Sequence, residues 1–132
     1  MKLTPHPGPF RFSLGGRGEI AACGFLEKQG YELVEKNYKC RIGEIDAIAW
    51  RNGRLAFIEI KTRTNNQFGL PQEAVGLKKQ GKIFKLAQWY LKEKNLLKAP
   101  IAFDVVAVLW KEGEKPEMRL ITDAFEKEDE GR

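Results

Sequence analysis

Residues 43–63 read GEIDAIAWRNGRLAFIEIKTR, two strand-like runs around Asn52-Gly53. Asn-Gly is the strongest short hairpin signal, because both central residues of a type I′ turn need positive φ. The stretch therefore predicts antiparallel strands over Glu44–Trp50 and Arg54–Lys61, with Arg51 facing Arg54. In that register the two residue numbers of every cross-strand pair add to 105, which sets Asp46 opposite Glu59 and Glu44 opposite Lys61. Directly opposed residues project from one face with Cβ atoms ~5 Å apart. The two-residue period puts Glu44 beside Asp46 and Glu59 beside Lys61. One face thus collects three carboxylates and a lysine, while Ile45, Ala47, Ala49, Ile58 and Ile60 turn to the other face as core candidates.

Opposed carboxylates repel, and burying them without a partner is costly. A cation answers that cost, and hard oxygen donors suit Mg²⁺ or Mn²⁺ rather than zinc. Such an ion can activate water and neutralise charge on a phosphoryl oxygen, with Lys61 orienting the water or stabilising transition-state charge. The competing reading is a solvated strand face carrying a simple Glu44–Lys61 ion pair. An aspartate in a strand, directly opposite a glutamate, favours the metal. A one-residue slip would undo the arrangement.

Two helices are expected to flank this hairpin. The first runs from Glu19 to Gln29 and ends at Gly30. It places Glu19 on the stripe of Ala22, Cys23 and Leu26. Glu19 reads equally as a charge complementing the helix dipole and as a metal ligand. The second runs from Ala74 to about Lys94 with a stripe of Leu77, Gln80, Phe84, Ala87 and Leu91. Gln80 either hydrogen-bonds the carboxylate face or sits at the margin in water. Lys78, Lys82 and Lys85 lie on the adjoining face with Lys79 nearby, as a solvated face or a phosphate track. Trp89 and Tyr90 are assigned to packing.

Tyr31–Tyr38 reads as a strand preceding the hairpin, and the apolar run Ile101–Trp110 as a strand covered on both faces. Met118–Thr122 adds an edge strand. Asp104 interrupts the apolar run, either as a structural hydrogen-bonding group or as support for the site. The expected organisation is an arm over residues 1–14, one domain over 15–122, and an acidic tail over 123–132. Helix, three strands, helix and one or two further strands imply an α/β fold, one mixed sheet with helices packed on it.

The 132-residue chain suits one domain. Its hydrophobic fraction of 42% excludes a disordered chain. No apolar run approaches the ~20 residues that cross a membrane. No apolar segment follows Met1-Lys2 as a signal peptide would require. Cys23 and Cys40 are too few for a disulfide framework or a zinc site, and point to the cytoplasm. The net charge of +5 is uneven. Residues 111–132 hold 5 basic and 8 acidic residues, leaving 18 and 10 in residues 1–110, a net of −3 against +8. A basic body favours polyanions. Neither a Walker loop nor a dinucleotide fingerprint is present, so nucleotide hydrolysis and hydride transfer lack support. His6 stands alone in the arm.

Asp46 and then Glu59-Ile60-Lys61 form Asp-x12-Glu-x-Lys, which looks like the PD-(D/E)XK nuclease signature. The surrounding segments sharpen the likeness. Gly15-Gly16-Arg17-Gly18-Glu19, Gly43-Glu44-Ile45-Asp46, Phe57 to Arg63, Phe68-Gly69-x-Pro71-x-Glu73-Ala74-Val75, Lys79-Gln80 and Phe103-Asp104-Val105-Val106 appear in order. Together they resemble the YraN-like family of small predicted endonucleases, distantly similar to archaeal Holliday junction resolvases, over about Gly15 to Trp110. Ala47, and Gly81-Lys82 after Lys79-Gln80, depart from the family pattern without touching the chemistry. The resemblance implies a restriction-endonuclease-like αβββαβ core. Asp46, Glu59, the Ile60 backbone carbonyl and Glu19 would hold Mg²⁺ or Mn²⁺, Lys61 would be the catalytic lysine, and Gln80 would complete the site. Arg17, Arg63, Lys78, Lys82 and Lys85 would contact nucleic acid, with Glu44 and Asp104 in support. The function so implied is metal-dependent hydrolysis of phosphodiester bonds in DNA, at branched or damaged structures. The alternative is a catalytically silent nucleic-acid-binding module acting through partners. Symmetric cutting of a junction would require a homodimer, for which the sequence offers no clear face.

Overall fold

The structure is a computed structural model that describes residues 14–63, 75–111 and 113–126. The elements, in chain order, are α1 (Leu14–Lys28), β1 (Glu32–Cys40), β2 (Gly43–Arg51), β3 (Arg54–Arg63), α2 (Leu77–Glu93), β4 (Ile101–Leu109) and β5 (Glu117–Ile121). They build one mixed five-stranded sheet of order β1-β2-β3-β4-β5. Among the described strands only β3 and β4 run parallel, joined across one face by α2. The architecture is α/β and compatible with the expected restriction-endonuclease-like core. The arm up to residue 13, most of the polar loop read over Thr62–Pro71 and the tail from residue 127 lie outside the described residues.

Asn52 and Gly53 turn the central hairpin at φ +52° and +76°. The expected register holds from Arg51↔Arg54 to Ala47↔Ile58. Beyond that point the paired ladder stops. Lys36↔Ala47 is followed on the other side by Tyr38↔Ile45, with Asn37 between them at φ +52°. This left-handed residue turns the β1–β2 ribbon over at the level of Asp46. Ile45 consequently packs with Ile48, Leu55 and Phe57 on the α2 face, and not with Ala47 and Ala49 as strict alternation predicts.

The two faces of the sheet are packed differently. Towards α1 the sheet presents small residues, Ala47, Ala49, Ala56 and Ala102, together with Ile58, Val106 and Val108. Ala22, Cys23 and Leu26 of α1 come down onto them. A Cβ on Gly18 would overlap the Thr62 hydroxyl, so glycine is what allows α1 to lie on β3. α1 begins at Leu14, ahead of the expected Glu19, despite the helix cost of its glycines. Towards α2 the core is bulkier: Ile83, Leu86, Ala87, Tyr90 and Leu91 meet Phe57, Phe103 and Val105. Tyr90 sits at its centre, edge-on to Tyr38 and Phe57 at 4.9 and 6.0 Å. Burying an aliphatic or Phe side chain of this size gives roughly 1.5–3 kcal/mol.

Asp123–Phe125, assigned to the tail by composition, pack on the sheet. The Ala124 N–H donates to the Phe103 carbonyl, and Phe125 stacks on Phe103 at 5.1 Å. Asp104 is structural. Buried at 4% exposure, it accepts hydrogen bonds from the Tyr31 hydroxyl at 2.5 Å and the Asp123 N–H at 2.8 Å. Arg51 stacks over the Tyr31 ring at 4.8 Å and donates to its hydroxyl. This network ties the residue before β1 to β2, β4 and the segment after β5. No helix among the described residues is long and apolar enough to cross a membrane.

Candidate metal centre

Where β2 leaves β3, one backbone donor is orphaned. Alternate residues Arg54, Ala56, Ile58 and Ile60 aim their N–H groups at β2. The natural acceptor for Ile60 in an unbroken ladder would be residue 45, which has turned away. The Asp46 carboxylate takes its place, accepting from the Ile60 N–H at 2.8 Å. A strand residue sends its N–H and C=O to the same side, so the Ile60 carbonyl leaves towards this opening as well.

Glu59 follows on the same edge, 5% exposed. Its Oε2 is paired with Lys61 Nζ at 3.3 Å and is in close contact with Lys79 Nζ. Among the described residues Asp46 makes no ion pair. Burial first, then the negative charges of Glu59 and Glu19, push its pKa up to about 7 against the pull of the Ile60 N–H. Lys61 is shifted the other way, its ammonium disfavoured by burial and by Lys79. Lys79 is raised, the carboxylates outweighing its partial burial. A cavity of about 220 Å³ opens here, lined by Glu44, Asp46, Glu59, Lys79, Lys82, Ile83 and Leu86.

Asp46, Glu59 and Lys61 are therefore brought together as expected, and Glu19 is near enough for its charge to reach Asp46. Glu44 lines the cavity, but its ion pair is with Lys39 at 3.6 Å and not with Lys61. Gln80 departs from expectation: its amide donates to the Val75 carbonyl at 2.8 Å, one turn back at the start of α2. The buried face of α2 is Ile83, Leu86, Ala87, Tyr90 and Leu91. Ala87 and Leu91 of the expected stripe lie in it, and Phe84 packs at its margin. Leu77 is 82% exposed, and Lys79 extends the Ile83–Leu86–Tyr90 row to the cavity. Lys79 is the residue that sequence reasoning left off the site. Its signal was the 4-3-4 spacing 79-83-86-90, as regular as the stripe chosen through Gln80. Of the basic residues, Lys82 reaches the cavity, while Lys78 and Lys85 are exposed and do not line it. Arg17 lies over the Trp110 ring at 5.7 Å, and Arg63 bonds the Thr62 carbonyl.

Among the described residues no three carboxylate, histidine or cysteine groups are gathered tightly enough to ligate an ion by themselves. The donor chemistry nonetheless fits a hard divalent cation. Two carboxylates, Asp46 and Glu59, come together at a strand break, and Asp46, which makes no ion pair among the described residues, has a raised pKa.

Residues 18–108 match the model of a family described as Uncharacterised protein family UPF0102. A UPF0102 protein of Desulforamulus reducens is 42% identical over 118 residues, spanning 87% of this chain and 97% of that one. One from Caldanaerobacter subterraneus subsp. tengcongensis is 47% identical over 96 residues, spanning 73% and 79%. One from Syntrophus aciditrophicus is 46% identical over 112 residues, spanning 85% and 87%. The matched span runs from the Gly18 contact through both strands of the carboxylate hairpin to β4, and on that match the chain belongs to the UPF0102 family.

Proposed function

We propose that this protein is a divalent-metal-dependent nuclease that hydrolyses phosphodiester bonds in DNA. The observation that supports the reading is the meeting of Asp46, Glu59, Lys61 and Lys79 at the end of the β2–β3 ladder. Asp46, Glu59 and the Ile60 carbonyl would hold Mg²⁺ or Mn²⁺, with Glu19 behind Asp46. The ion would activate water and neutralise charge on the phosphoryl oxygen. Lys61, with its ammonium disfavoured, is suited to hold or release a proton at Nζ beside the attacking water. Lys79 and Lys82 flank the cavity and add positive charge where a phosphate would enter.

The test is cleavage of plasmid, single-stranded and four-way-junction DNA with Mn²⁺. Wild type cuts at least one of these substrates, and Glu59→Ala cuts none. Identical traces from the two proteins on every substrate sink the reading. A silent DNA-binding module is the second reading, favoured by the Lys79–Glu59 contact that already neutralises one ligand. Salt-dependent DNA binding with no heat on Mn²⁺ titration would select it.

A further inference from the structure

We infer that Lys79 is an exchangeable counter-ion: it holds Glu59 while the site is free of metal, yields it to a divalent cation, and then engages a phosphate of the bound DNA. The inference rests on the nuclease reading of the same site. Two lysines touch Glu59, and they are not equivalent. Lys61 comes from the same strand two residues on, so it shares the face of Glu59 by strand geometry, and its side chain is 25% exposed. Lys79 comes from the first turn of α2, is 44% exposed, and lines the cavity that Glu59 and Asp46 share. Its long stem can swing out without disturbing the core, because the buried anchors of α2 begin four residues later at Ile83.

Exchange has a clear electrostatic basis. Glu59 is 5% exposed, and an unpaired carboxylate there would be costly. Lys79 removes that cost without metal. A dication entering between Asp46 and Glu59 does the same more strongly, and then repels the ammonium beside it. The displaced Nζ stays at the cavity mouth next to Lys82, where a phosphate supplies the lost negative partner. The Gln80–Val75 bond fixes the start of α2, so Lys79 moves by its side chain alone.

The experiment is Mn²⁺ titration calorimetry on the full chain for wild type, Lys79→Met and Lys79→Arg. DNA binding in Ca²⁺ and in chelator follows, across a range of salt. Removing a unit charge ~4 Å from a dication changes its binding constant by about tenfold or more even under water-like screening. Lys79→Met should therefore bind Mn²⁺ about tenfold tighter, with Lys79→Arg close to wild type. With Ca²⁺ present, Lys79→Met should lower the salt slope of DNA binding by about 1, one phosphate contact, and leave it unchanged in chelator. A purely structural lysine would not tighten metal binding when removed. Lys79→Gln is the second variant should the methionine protein fail to fold. If wild type binds Mn²⁺ and neither neutral variant binds it tighter, the exchange is wrong while the nuclease reading stands. If none of the proteins binds Mn²⁺, both fall.

Discussion

Replacing Asp46 by asparagine should make the metal-free protein more stable, and only at high pH. The carboxyl rises from 3.8 to about 7 on folding, through burial and the charges of Glu59 and Glu19. At 1.36 kcal/mol per tenfold change in proton affinity, ionised Asp46 costs at most about 4 kcal/mol; partial solvent access brings a working figure to about 2 kcal/mol. The native state therefore holds more proton than the unfolded chain between about pH 4 and pH 7, and its stability falls as pH rises through that range. Asparagine keeps an oxygen to accept the Ile60 N–H and removes the charge. Urea unfolding in chelator should show Asp46→Asn ahead by about 2 kcal/mol at about pH 8, fading to about 0.5 kcal/mol or less at about pH 4. An equal loss of stability at both pH values would refute the claim that this carboxylate is held against repulsion.

Three further outcomes separate the scaffold from the site. Gly18→Ala should destabilise by about 1–3 kcal/mol through overlap with Thr62, and adding Thr62→Ala should recover part of the loss in urea midpoints. Asp104→Ala strands the Tyr31 hydroxyl and the Asp123 N–H, so a loss of about 2–4 kcal/mol is expected, with Mn²⁺ affinity in calorimetry unchanged. Gly53→Ala forces a Cβ into the left-handed region at φ +76° and should lower thermal stability by about 1–2 kcal/mol without shifting the hairpin register.

The hairpin was legible because a two-residue turn leaves no freedom in the pairing that follows it, and Asn52-Gly53 sets that pairing as far as Ala47↔Ile58. The departure begins at Asn37, where asparagine takes a positive φ that it adopts more readily than most residues but that its place in a strand does not require. Alternation then fails for Ile45, although Asp46 still reaches the predicted place, by its side chain and not by the ladder. On α2 the difficulty was phase. Stripes through Gln80 and through Lys79 are equally regular, and the buried face takes Ala87 and Leu91 from the first and Ile83, Leu86 and Tyr90 from the second. The Asp104 network was out of reach because Tyr31 and Asp104 lie 73 residues apart in the chain.

The break in the ladder also leaves the centre with its own spectroscopic probe. The Ile60 amide is bonded to a carboxylate and not to a carbonyl. Its proton resonance and its exchange with solvent will follow whatever changes the charge on Asp46. Protonation, a cation arriving at the opening, or an asparagine in place of the aspartate would each move the same backbone signal. A single labelled isoleucine amide would report the state of the site with no substrate present.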